Sequence, residues 1–159
     1  MGAKSEALAR RFEAKAREFL ATLERLSEAD WKKVTEAEKW SVGVTAHHLA
    51  GVLEPISGMV TAIAAGQSPG DLSREMLDEM NARHAKDFAG CTRAETIALH
   101  RRGAAAAAAT IRGLDDEALA RSGTLLKDLP PMTVEQVIVG GLLEHSEEHI
   151  GSIRKTVGH

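Results

Sequence analysis

LLEHSEEHIGSIR, residues 142–154, sets His145 and His149 four residues apart among Leu142, Ile150 and Ile153. A helix turns roughly 100° per residue, so positions i and i+4 share a face. The stripe extends back to Ile138, and Ile138, Leu142, His145, His149 and Ile153 follow spacings of 4, 3, 4 and 4. The segment reads as an amphipathic helix over about 134–157, with two imidazoles on its core face. Thr133 and Gln136 form a capping box at its start, and Pro130 and Pro131 end the connector before it.

The same rhythm recurs upstream. Leu8, Phe12, Ala16, Phe19, Leu20, Leu23 and Leu26 predict a first helix over 4–26. A connector follows, which Trp31 and Trp40 are expected to pin to the body. Ser41 is a plausible N-cap for a helix over about 42–65, kinked or divided by Pro55. GQSPGD, residues 66–71, breaks the chain. Ser73 caps a helix over about 74–89, with Met76, Met80, His84 and Phe88 four apart on one stripe. Thr92 and Glu95 form another capping box, and a helix runs from there to about Ile111 through six consecutive alanines, Ala104 to Ala109. A short turn starts at Asp115 or Asp116. No segment alternates like a strand, so the expectation is one all-α domain over 1–159, an antiparallel bundle of four main helices.

Composition narrows the function. With 20 basic and 23 acidic residues interspersed, net charge is -3, and no clustered basic face exists to hold nucleic acid. No apolar run reaches the ~18 residues that a membrane span needs. MGAKSEALARR at the N-terminus is charged and unlike a secretory leader. One cysteine, Cys91, rules out an intrachain disulfide and a cysteine-rich zinc site, and it fits a cytoplasmic location.

Neutral imidazole ligates zinc, nickel, copper or iron, and an i, i+4 pair can aim two nitrogens at one ion. The alternative is a pair of packed histidines, each bonded to a carbonyl or carboxylate. A catalytic ion usually takes a third protein ligand. On a helical wheel of residues 42–63, His48 flanks the apolar face, whereas His47 lies nearly opposite it. His48 is therefore the expected third ligand, and His47, His100 and His159 are expected at the surface.

WSVGVTAHHLAGV, residues 40–52, resembles the second-helix motif of the DinB-like superfamily, carried here by Trp40, Ser41 and His48-Leu49. EHSEEHIGSIR, residues 144–154, resembles the last-helix motif of the same group. The resemblance extends over essentially the whole chain. It implies an up-down-down-up four-helix bundle, a metal site made by His48, His145 and His149, and a homodimer. Zinc or nickel is the expected ion. The superfamily includes mycothiol- and bacillithiol-dependent transferases and maleylpyruvate isomerase. A small-molecule substrate and a low-molecular-weight thiol cosubstrate follow from that resemblance, and Asn81 resembles an asparagine of some thiol-dependent relatives. His84, on the stripe with Met76, Met80 and Phe88, is either a residue lining the same cofactor site or a histidine at the edge of the core.

Glu144, Glu147 and Glu148 neighbour the histidine pair. Each could orient a ligand imidazole, act as a general base, or sit on a solvated helix face. Three functions fit: a metal enzyme activating a thiol or water, a non-catalytic metal- or ligand-binding bundle, and a structural bundle with packed histidines.

Overall fold

A computed structural model describes residues 2–158. In chain order its helices are α1 (Ala3–Glu24), α2 (Glu28–Lys32), α3 (Val42–Gly51), α4 (Leu53–Ala64), α5 (Arg74–Asp87), α6 (Arg93–Arg112), α7 (Asp116–Ala120), α8 (Val134–Val137) and α9 (His145–Val157). A π-helical stretch, Ile138–Glu144, joins α8 to α9, so the last helix is continuous over 134–157. The expectation for His159 lies outside the described residues. No helix among the described residues is long and apolar enough to cross a membrane.

The caps fall where the side chains can make them. Ser41, Ser73, Thr92, Asp115 and Thr133 each accept a hydrogen bond from a backbone N–H in the first turn of their helix. Thr92 with Glu95 and Thr133 with Gln136 close reciprocal capping boxes. The expected second helix is divided at Val52 into α3 and α4, three residues before Pro55. A two-residue antiparallel pair, Ser122–Gly123 with Met132–Thr133, forms where no strand was expected. It is a tertiary closure: Val134 N–H donates to Arg121 O at 2.8 Å and ties the ends of the connector together.

α1 packs on α6 and α9, and the α3–α4 segment packs on the same two helices from the other side. This is the up-down-down-up four-helix bundle, with the fold all-α apart from the short strand pair. Close approach needs small residues at two places. A Cβ on Gly103 of α6 would lie 3.0 Å from Leu53 Cβ of α4. A Cβ on Gly43 of α3 would lie 2.5 Å from Trp31 Nε1. That contact lets the indole lie on α3 and donate to Cys91 O at 2.9 Å, which pins the connector as its two tryptophans suggested.

The core divides into two apolar clusters. One includes Leu8, Phe12, Leu53, Ile63, Ile111, Ile138, Leu142 and Leu143; the other includes Phe19, Leu23, Val42, Leu49, Ile150 and Ile153. Along the last helix, Leu143 is the final residue of the first cluster and Ile150 the first of the second. His145 and His149 occupy the interval between them. The imidazoles therefore interrupt the core at the seam where its two halves part.

Candidate metal centre

His145 opens α9 directly after the π-helical stretch, and His149 follows one turn later. π-helical turns recur at functional sites because the extra residue re-aims the side chains after it. The third side chain comes from α3. His48, His145 and His149 each offer a ring nitrogen, and these three atoms lie within 4.8 Å of one another. Nε2 of His145 and Nε2 of His149 are 3.0 Å apart. His48 meets both rings edge-on, with centroids 5.3 and 5.2 Å away.

Metal–imidazole bonds of about 2.0–2.1 Å at tetrahedral or octahedral angles separate two ligand nitrogens by roughly 2.9–3.4 Å. The observed 3.0 Å falls in that interval. Burial, with help from the neighbouring imidazoles, pushes His48 down to about 3. Burial and then His149 hold His145 down to about 4. Both rings are neutral at neutral pH, the form that ligates. The donor set suits one divalent transition-metal ion, with the His145–His149 pair already at ligand spacing and the His48 nitrogen within 4.8 Å of both.

The carboxylate that orients the cluster is not one of the glutamates on the last helix. Glu38 Oε1 accepts from His149 Nδ1 at 3.2 Å, and Glu38 Oε2 accepts from Ser152 Oγ at 2.7 Å. With its Nδ1 proton held there, His149 presents a bare Nε2 to the cluster. Burial acts to raise the Glu38 carboxyl, but hydrogen bonds from Ser152, Thr35 and His149 outweigh it and the net shift is downward. Glu144 and Glu148 are exposed, and Glu147 lies 3.6 Å from Lys15 Nζ. Glu38 escaped sequence reasoning because it sits in the connector, where no periodicity assigns a face. Its one local signal is its place two residues before Trp40. The chain turns back through Lys39, at φ 64, and Thr35 N–H donates to Trp40 O at 2.8 Å, which points Glu38 at α9. Trp40 meets the edge of His48 with centroids 5.2 Å apart.

His47 is not at the surface. It is 7% exposed, and its Nδ1 lies 2.7 Å from His84 Nε2. The wheel failed because it assumes that a helix has a solvent face. In α3 every residue from Val42 to Ala50 is buried, since α5, α6 and α9 all pack on it. His47 is stacked on Phe88 at 4.1 Å and on His84 at 4.9 Å. His100 is also buried, at 2% exposure, against Phe19 between α1 and α6. Its position on the Thr96–Gly103–Ala107 face of α6 was the available signal.

Of the other expected site residues, His84 lies beside His48 at 5.8 Å between centroids. Asn81 is half-buried on α5, just under one turn before His84. Otherwise the stripe is open to solvent: Met76 and Met80 are exposed, Phe88 covers His47 with one face and leaves the rest of its ring exposed, and α5 has no fully buried residue. Cys91 donates to Gly43 O at 3.4 Å, and burial pushes its thiol up, so it supplies no thiolate near neutral pH.

Solved structures share this architecture. YfiT from Bacillus subtilis, described as a probable metal-dependent hydrolase with an unusual four-helix bundle topology, is 17% identical with a TM-score of 0.78, covering 99% of this chain and 90% of that one. An uncharacterized protein from Clostridium difficile 630 is 13% identical with a TM-score of 0.77, covering 98% and 96%. The mycothiol-dependent maleylpyruvate isomerase is 14% identical with a TM-score of 0.72, covering 94% of this chain but 59% of its own. No curated protein matches the sequence. The sequence model of the DinB superfamily matches residues 11–153, and the chain belongs to that superfamily.

Proposed function

We propose that this protein is a metal-dependent enzyme whose ion is held by His48, His145 and His149 and which activates a low-molecular-weight thiol for transfer to an electrophilic small molecule. The observation that carries the reading is the convergence of three imidazole nitrogens within 4.8 Å, with one ring oriented by a nearly buried carboxylate. His48, His145 and His149 would hold a divalent ion, which would supply a lowered pKa to a thiol or water and so a deprotonated nucleophile near neutral pH. The chain supplies the rest. Glu38 holds the Nδ1 proton of His149, burial keeps His48 and His145 neutral, and Trp40 seals one flank of His48. His84, beside His48, and Asn81 line the thiol's approach from α5. The similarity in fold to a mycothiol-dependent isomerase supports the thiol. The similarity to YfiT supports a second reading, hydrolysis by activated water at the same three histidines.

Two measurements test this. Metal analysis of protein purified without a histidine tag should find about one zinc or nickel per chain. The metal-replete protein should then turn over an activated aryl halide with one member of a panel of thiols. Metal bound without thiol turnover, but with ester or amide cleavage, selects the hydrolase. Metal bound with neither activity leaves a binding bundle, and absence of metal sinks both enzymatic readings. The active form is proposed to be a homodimer, and a monomer sedimenting at micromolar concentration would refute that.

A further inference from the structure

The face of the bundle formed by α1 and α6 carries a second feature, built from residues that the histidine cluster does not use. Ala16 and Leu20 of α1 and Ala104 and Ala108 of α6 are too short to fill the seam between the two helices. They leave a groove of about 240 Å³. His100 lines it. The ring is 2% exposed, and its Nδ1 is sealed from solvent without any hydrogen-bond partner. A buried polar ring lacking a partner is uncommon and asks for a reason.

The rim is cationic. Arg17 and Arg101 both border the groove. Glu13 borders it too, but its carboxylate takes two bonds from Arg112, at 2.8 and 2.7 Å. Arg112 also reaches Glu6 at 3.0 Å. Those acids are committed, and among the described residues Arg17 and Arg101 have no ion-pair partner. A buried imidazole and two guanidinium groups without a close ion pair thus border an apolar floor, with Arg17 near enough to Glu13 to help hold its carboxyl down. Guanidinium matches a carboxylate by paired N–H donors in one plane. The volume equals that of about eight waters in the liquid, enough for a single ring or a short chain.

We infer that the α1–α6 groove binds a small carboxylate with an apolar body, its head on Arg17, Arg101 and His100 and its tail on the alanine floor. The inference is independent of what the three-histidine cluster does. Benzoate is the probe, with benzamide as its uncharged counterpart. Calorimetric titration of the full-length, metal-replete protein should give saturable benzoate binding, with benzamide weaker by about tenfold or more, the loss expected for one charge-assisted contact. Arg101→Gln and Arg17→Gln, both at exposed positions, should each weaken benzoate by a similar factor, as should His100→Leu. Metal content and helical circular dichroism should stay at their wild-type values. His145→Ala, expected to lose the ion, should still bind benzoate.

Three results would overturn the inference. The first is no saturation at millimolar benzoate. The second is binding that Arg101→Gln leaves unchanged or that His145→Ala abolishes, which places the carboxylate at the metal centre. The third is a homodimer that Arg101→Gln or His100→Leu splits into monomers, which makes the groove a contact between copies of the chain.

Discussion

Replacing Glu38 tests whether the histidine cluster is a built site or a packing accident. The side chain is 9% exposed and makes two bonds to the last helix, 3.2 Å from His149 Nδ1 and 2.7 Å to Ser152 Oγ. Glu38→Ala frees the His149 ring to rotate and to exchange tautomers, and removes a negative charge next to a cation site. Loss of such an orienting partner lowers metal affinity by about 10–100-fold, or roughly 1.4–2.8 kcal/mol. Glu38→Gln keeps an acceptor but loses the charge, so its loss should be smaller, at the lower end of that range. The assay is competition against a chromophoric zinc or nickel chelator at pH 7.5, with melting of the metal-free forms run in parallel. The metal-free Glu38→Ala protein should itself lose about 1–3 kcal/mol, since buried His149 and half-buried Ser152 both lose their partner. Glu144→Ala and Glu148→Ala, both exposed, should match the wild type in both assays. Should Glu38→Ala hold metal within twofold of wild type while His149→Ala loses it, the orienting role of Glu38 is wrong.

Other outcomes follow from the same contacts. His48→Ala, His145→Ala and His149→Ala should each strip metal under dialysis against a weak chelator. His47→Ala should retain metal yet unfold about 1–3 kcal/mol earlier in urea, because it leaves His84 without its 2.7 Å partner. His100, which burial holds down to about 4 against an ordinary 6.5, makes the protein acid-sensitive. The unfolded chain takes up that proton and the folded chain does not, so stability is full above pH 6.5 and falls between 6.5 and 4 by about 3 kcal/mol. His48 and His145, also held low by burial, add to the same limb, so His100→Leu should make it shallower rather than flat in urea denaturation, and an unchanged slope would clear His100 of the role. Gly43→Ala drives a methyl to 2.5 Å from Trp31 Nε1, so it should cost about 1–3 kcal/mol and shift tryptophan fluorescence as the indole leaves Cys91 O.

The sequence alone carried the helices, their caps and the three histidines, because these depend on interactions of short range. Ser41, Ser73, Thr92, Asp115 and Thr133 act within one turn of themselves. His145 and His149 share a face by the pitch of the helix, and His48 flanked the apolar side of its own. Tertiary structure decided what depends on neighbours distant in the chain. His47 was placed in solvent by a calculation that sees one helix at a time, and α5 then covered it through His84 and Phe88. Glu38 reaches a histidine 111 positions away from a connector without any period, so no pattern could assign it. The π-helical stretch before His145 arises in a helix with glycines at 140 and 141, where Gly141 faces Ile56 of α4 at a distance that only packing sets. Local rules state which faces a helix owns. Only the assembled bundle determines how many of them are covered, and by what.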